Sequence, residues 1–311
     1  MARFAAGAAR NLCENVITVM DVLLPRTLKE ALEMKAAAPA ALPIAGGTDV
    51  MVELNFDRRR PSALLDISRL PELGMWRKQD GTCFLGAGVT YSRIVNRLTM
   101  FPALVQASRT VGSPQIRNRG TVGGNLGTAS PAGDALPVLA AYDAEVVLVN
   151  AGGIRRALPW HQFMVGPKKT VIAPDELILG AQWKIVRGPG SFSKVGTRNA
   201  MVIAVASLCL LFDEENRTVR VALGSVGPTI LRAVDAEQFL ARALQEAGAW
   251  DDARTPVPPA AVEEFAGRVG QAARPIDDVR GSAAYRRHAC AVLARRALSW
   301  ALNDRKLTGT R

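Results

Sequence analysis

The sequence predicts an α+β protein of two domains, and three observations carry that prediction. Helix-period and strand-period segments alternate up to residue 187. Gly188-Pro189-Gly190 then punctuates the chain, as a boundary crossed by few contacts would. Beyond it the strands come first and the helices follow, the order expected of a small sheet packed under helices.

The elements follow in order. Residues 1–15, Ala- and Arg-rich over 1–11, lack an apolar run with a small-residue cleavage site behind it and read as a frayed extension. Thr27-x-x-Glu30 is a capping box, and Leu28, Ala31 and Leu32 keep helical spacing up to Pro39. Residues 41–45 read as a strand ending at Gly46-Gly47, after which Thr48 caps a helix carrying Val50, Met51 and Leu54 on one side. Apolar runs at 63–67 and 83–87 are strands, and Thr90 opens a helix that uses Ile94, Val95 and Leu98. Residues 111–133 turn to Gly, Asn, Ser, Thr and Pro, too long for an ordinary connection and so a functional loop. A helix resumes over 134–142. Residues 145–149 and 154–158 flank Asn150-Ala151-Gly152-Gly153 as a hairpin, and 177–185 is a further strand. After the boundary, 203–212 and 218–223 read as strands around a polar turn, and Asp235-x-x-Gln238 begins an amphipathic helix. Two more helices follow near 260–272 and 284–302, the last with Tyr285, Ala289, Val292 and Leu293 on its core side.

Composition narrows the function. In 311 residues, 49% hydrophobic content and a mean hydropathy of +0.09 suffice for real cores. The longest apolar stretch, 201–212, is broken by Ser207 and falls short of the roughly 20 residues of a bilayer-spanning helix. Cys13, Cys83, Cys209 and Cys290 stand far apart, without metal-ligand or redox-dithiol spacing, as reduced thiols of a cytoplasmic protein would. The 39 Lys and Arg against 28 Asp and Glu give +11. The basic residues are spread out and aromatics are 5%, which favours a solvated basic surface or an acidic partner protein over nucleic acid.

Two glycine segments carry the chemistry. Pro43-Ile-Ala-Gly-Gly-Thr-Asp-Val50 puts two glycines between a strand and a helix start, where unshielded N–H groups favour a phosphate; a plain tight turn explains the same residues. Thr121-Val-Gly-Gly-Asn125 adds a second run of small residues with two hydrogen-bonding side chains, and two such segments together point to a dinucleotide. Neither fits G-x-G-x-x-G or the phosphate loop of nucleotide hydrolases.

Four motifs in order make a resemblance specific: Ala45-Gly-Gly-Thr-Asp49; Ile116-Arg-Asn-Arg-Gly-Thr-Val-Gly-Gly-Asn-Leu126; Ser130-Pro-Ala-Gly-Asp134 followed by Pro137; and Phe192-Ser-Lys-Val-Gly-Thr-Arg198. Over residues 16–303 the chain resembles the medium, FAD-carrying subunits of the xanthine dehydrogenase and carbon monoxide dehydrogenase family of molybdenum hydroxylases. The resemblance implies a PCMH-type FAD-binding domain over 16–187, in subdomains 16–68 and 69–187. A C-terminal α+β domain with a small antiparallel sheet follows over 191–305. It also implies an iron–sulfur small subunit and a molybdopterin-binding large subunit as partners, assembled as a dimer of heterotrimers. The 2Fe–2S clusters and Mo-cofactor would lie on those partners, and this chain would pass electrons through FAD to an external acceptor. Substrate choice would belong to the molybdenum chain, leaving purines, other N-heterocycles, aldehydes and carbon monoxide open.

Carried over residue by residue, Pro43, Ile44, Ala45, Gly46, Gly47, Thr48, Asp49 and Val50 would wrap the FAD pyrophosphate. Thr121, Val122, Gly123, Gly124 and Asn125 would contact the phosphates and the flavin side. Asp134 would accept from cofactor hydroxyls, with a helix N-cap as the plain reading. Ile178 would pack near the isoalloxazine ring, where an Ile would be core regardless. Lys194 would lie near the flavin and favour its reduced anion, against the reading of a surface lysine. Arg198 serves structural pairing as well as cofactor contact. His161 and His288, the only histidines, lie outside the glycine segments, against a histidyl-linked flavin. A self-sufficient single-chain FAD oxidoreductase of the same fold is the alternative, and it would need an acid or nucleophile of its own near the ring. Reductases of aromatic acyl-CoA esters in the family need a cysteine group that this chain lacks.

Overall fold

In the computed structural model, which describes residues 20–308, the chain forms three sheets in series. The N-terminal extension, with Cys13, lies outside the described residues. The first lobe runs β1 (Asp21–Leu23), α1 (Leu28–Ala37), β2 (Leu42–Ile44), α2 (Val50–Asn55) and β3 (Ala63–Asp66), with its strands parallel in the order β1-β3-β2. Thr27 caps α1 by accepting from Glu30 N at 3.2 Å, and Glu30 reaches back to Arg26 N at 2.7 Å. Asp49 rather than Thr48 occupies the N-cap position of α2, without a side-chain cap bond, and no residue of α2 is fully buried: Met51 is exposed, and Val50 and Leu54 are half-buried.

The second lobe is built on the antiparallel sheet β4-β5-β10-β6-β7. Its strands are β4 (Trp76–Gln79), β5 (Thr82–Gly86), β6 (Glu145–Val149), β7 (Arg155–Pro159) and β10 (Leu177–Lys184). Between β5 and β6 run α3 (Tyr91–Arg97), α4 (Pro102–Thr110), α5 (Pro114–Arg119), α6 (Val122–Thr128) and α7 (Ala135–Ala141). The segment 111–133 is therefore not one long loop. Ser113 caps α5 ahead of Pro114, and Thr121 caps α6 by accepting from Gly124 N at 3.0 Å. Two small caps nucleate two short helices, which glycine-rich composition concealed. A short helix, α8 (Trp160–Phe163), and the ribbon of β8 (Met164–Gly166) and β9 (Lys169–Thr170) lie between β7 and β10.

The third sheet is antiparallel, in the order β11 (Gly190–Val195), β12 (Ala206–Asp213), β13 (Thr218–Gly224) and β14 (Leu231–Arg232). Every residue of β12 is buried, because both sheet faces are covered. Leu208, Leu210 and Phe212 face α9 (Val234–Glu246), α10 (Pro259–Ala272) and α11 (Ala283–Thr308). Cys209, Leu211 and Phe192 face the other way, into the core of the preceding lobe. On α11 the core side is Ala289, Cys290, Leu293, Ala294 and Leu298; Tyr285, expected there, is 49% exposed. No helix among the described residues is long and apolar enough to cross a membrane.

Candidate functional site

A cleft of about 1050 Å³ opens between the first and second lobes. Its first wall is the β2–α2 turn. Gly46 sits so close to the second lobe that a Cβ there would come within 2.0 Å of Arg119 O, and Gly47 has φ +76°, which an L side chain adopts only with strain. Among the described residues the amides of Gly46, Gly47 and Thr48 have no acceptor, and all three residues line the cleft. Asp49 does not cap α2; its Oδ2 accepts from Thr128 Oγ1 at 2.9 Å, across the cleft. A second strap runs from Lys168 Nζ to Glu53 Oε1 at 2.9 Å, and that bond holds the Glu53 carboxyl below its ordinary range.

The opposite wall departs from expectation. The amides of the second glycine segment are already bonded: Val122 N to Val89 O at 3.2 Å, Gly123 N to Ala87 O at 2.9 Å, Gly124 N to Thr121 Oγ1 at 3.0 Å, and Asn125 N to Thr121 O at 3.1 Å. Gly123 is there for packing, since a Cβ would meet Ala87 O at 2.6 Å. What this segment offers the cleft is the Asn125 side chain. Its Oδ1 is buried without a partner, as are Asp134 Oδ1 and the Tyr91 hydroxyl, and all three residues line the cleft.

Asp134 ties the second lobe to the third. Its Oδ2 accepts from Lys194 Nζ at 2.6 Å and Thr110 Oγ1 at 3.0 Å, while Oδ1 is buried without a partner. Burial pushes its carboxyl up from the ordinary value, while Lys194 and Thr110 pull it back. Lys194 itself does not line the cleft. Its three N–H bonds go to Asp134, Thr110 O at 2.9 Å and Val202 O at 3.0 Å, so the ammonium stands behind the carboxylate.

Of the residues singled out from sequence, Pro43, Ala45, Gly46, Gly47, Thr48, Asp49, Val50, Thr121, Gly123, Gly124, Asn125, Asp134 and Ile178 line the cleft. Ile44, Val122 and Lys194 do not: Ile44 pairs within the first sheet and Val122 is fully buried. Ile178 stands at a register shift of β10 against β6, a bulge of the sort that re-aims a side chain, beside Gly127. Arg198 donates to Ala200 O and Met201 O of its own loop, which is structural pairing. Tyr91, Thr110, Thr128 and Lys168 were missed; Tyr91 stands directly after a helix cap, and Thr128 lies inside the 111–133 segment between two of the motifs.

The donor set suits FAD. Three free amides match a pyrophosphate, two unpartnered oxygens on Asn125 and Asp134 match N–H and hydroxyl groups, and the volume exceeds that of most small-ligand pockets. Among the described residues no three His, Cys, Asp or Glu stand together as metal ligands.

Comparison with known proteins points the same way. Residues 18–182 match the family described as FAD binding domain in molybdopterin dehydrogenase, and residues 192–301 match the CO dehydrogenase flavoprotein C-terminal domain. The xanthine dehydrogenase FAD-binding subunit of Escherichia coli O157:H7 is 32% identical over 223 residues, 68% of this chain and 76% of that protein. The 6-hydroxypseudooxynicotine dehydrogenase complex subunit alpha of Paenarthrobacter nicotinovorans is 31% identical over 297 residues, 93% of this chain and 96% of that one. A structure of carbon monoxide dehydrogenase from Hydrogenophaga pseudoflava superposes with a TM-score of 0.79 at 25% identity, covering 92% of this chain and 98% of that one.

Proposed function

Since the chain belongs to the FAD-binding subunits of xanthine and carbon monoxide dehydrogenase-type molybdenum hydroxylases, we propose that it holds FAD in the cleft between its first two lobes. The chain is an electron-transfer flavoprotein subunit, and its homologues work in multi-subunit complexes with large and small partners. The three consecutive cleft-lining amides of Gly46, Gly47 and Thr48, without a protein acceptor, carry the placement of the cofactor.

The chemistry that FAD would supply when bound here is electron transfer between the iron–sulfur side and an external acceptor. The chain's residues bind and orient the cofactor. The three amides, with the segment Pro43 to Val50 around them, grip the pyrophosphate. Asn125 Oδ1 and Asp134 Oδ1 accept from cofactor N–H or hydroxyl groups, and Lys194 and Thr110 fix the rotamer of Asp134 from behind. Ile178, 9% exposed, supplies apolar wall that excludes water. Substrate chemistry takes place on the molybdenum partner.

The proposed domain division is 16–187 for FAD, with subdomains 16–68 and 69–187, and 191–305 for the C-terminal domain; the three sheets support it. A dimer of heterotrimers is the proposed assembly. A cytoplasmic site is supported by the free, buried thiols of Cys83, Cys209 and Cys290. Native purification tests the whole reading: flavin bands, FAD released on denaturation, iron–sulfur absorbance and molybdenum are expected in one peak. Native mass spectrometry reads the assembly. A flavin-free monomer would overturn the proposal.

A further inference from the structure

Tyr91 does more than open a helix. It follows the Thr90 cap of α3 and is 3% exposed, yet its hydroxyl has no partner in the protein. The backbone beneath it is pinned: the Tyr91 amide donates to Gly120 O at 3.1 Å, and Thr90 bridges Thr121. The ring lies against Gly120, whose Cβ, were there one, would come to 3.3 Å from Tyr91 Cδ2. Gly120 N in turn is 3.0 Å from the place a Gly46 Cβ would occupy. The contact that brings the first two lobes together therefore also carries the phenol to the edge of the β2–α2 turn.

A buried hydroxyl left without a bond is costly, and a ligand that completes it is one reason a fold keeps it. The required ligand atom can be identified. Burial, with the Asp134 and Asp49 charges adding to it, pushes the phenol far above its ordinary range, so it stays protonated and donates. Neither carboxylate accepts from it. Its missing partner is an acceptor, and a phosphate oxygen on the neighbouring amides is the strongest acceptor available there.

We infer that the Tyr91 hydroxyl is a further cofactor-binding group, donating to a phosphate oxygen of the dinucleotide seated on the Gly46, Gly47 and Thr48 amides. This rests on the FAD site proposed above and gives the phosphate donors from both lobes, so that cofactor binding staples them together.

The test uses the purified complex, deflavinated and titrated with FAD by flavin fluorescence, with ADP as competitor because it carries the pyrophosphate and no flavin. Tyr91→Phe should weaken FAD and ADP alike, by roughly 10- to 100-fold for a lost bond to a charged acceptor. The deflavinated variant should melt no lower than wild type, because the hydroxyl has no protein partner to lose. Weakened FAD with unchanged ADP would place the hydroxyl at the flavin end and overturn the inference, as would unchanged affinity for both. A variant that loses stability or fails to assemble without FAD would show a partner inside the protein, also overturning it. ADP that does not compete on wild type would remove the phosphate from this spot. If wild type fails to bind FAD, the site proposal itself falls.

Discussion

Lys194→Met separates the two roles a lysine can have at this site. The side chains of Lys194 and Asp134 are 9% and 7% exposed, and the ammonium spends its three N–H bonds on Asp134 Oδ2, Thr110 O and Val202 O. Removing one partner of a buried pair costs about 3–5 kcal/mol, which at roughly 2 °C per kcal/mol for a chain this long is a fall of roughly 6–10 °C in Tm. The fall should be the same with and without FAD, and Lys194→Met combined with Asp134→Asn should recover much of it, because no unpaired charge remains buried. Its pH dependence has a definite sign. Burial raises the Asp134 carboxyl above its ordinary 3.8, so between that value and the raised one the native state binds more proton than the unfolded chain. Asp134 therefore favours folding below that ordinary value and loses the contribution as pH rises through the raised one. Losing Lys194 raises it further, so the deficit should be largest at neutral pH and shrink in mild acid. Thermal melts of the deflavinated and loaded complex across pH measure this. Unchanged melting of the deflavinated variant together with a shifted flavin midpoint potential would refute the reasoning and return Lys194 to the flavin ring.

Other outcomes follow from the same geometry. Gly46→Ala forces a Cβ into Arg119 O and should abolish FAD retention, whereas Gly47→Ala meets nothing nearer than Met51 Cγ at 3.4 Å, together with a φ of +76°, for a cost of about 1 kcal/mol; equal FAD occupancy in the two variants would contradict this. Burial pushes the Cys83 thiol up to about 11 and the Cys290 thiol up to about 12, and raises Cys209 as well. Peptide mapping after native alkylation at pH 8 should find all three unmodified, and rapid labelling of any one would show that its burial is wrong. Glu176 accepts from Arg156 Nε and NH2, each at 2.7 Å, and from Ala173 N at 2.8 Å, bonds that hold its carboxyl below the ordinary 4.5. Its stabilisation is present above 4.5 and lost as pH falls through the lowered value, so Glu176→Ala should cost about 1–2 kcal/mol at pH 7 and less in acid. A penalty as large at pH 3 would argue against the ion pair.

Local signals in the sequence determined the capped helix after Thr27, the hairpin of β6 and β7, the buried β12 and the turn at Gly46-Gly47. Each depends on neighbours a few residues away: a side-chain cap, an alternating pattern, a glycine that can take φ +76°. The order of four motifs was legible for the same reason, and with it the family. What a group touches at long range was not. The amides of Gly123 and Gly124 look free in sequence, but the fold gives them to Ala87 and Thr121. Tyr285 keeps helical spacing with core residues, but the last helix is rotated so that Tyr285 faces solvent. Lys194 meets Asp134 across 60 residues, and Tyr91 reaches the phosphate turn only because Gly120 packs beside Gly46. The sequence by itself determined the strand–glycine–helix turn at Gly46-Gly47 and which family the chain belongs to. Only the tertiary structure decided which donors remain unpaired to face the cofactor, because a hydrogen bond is satisfied by whatever the packed chain brings within 3 Å or so, and chain order does not specify that.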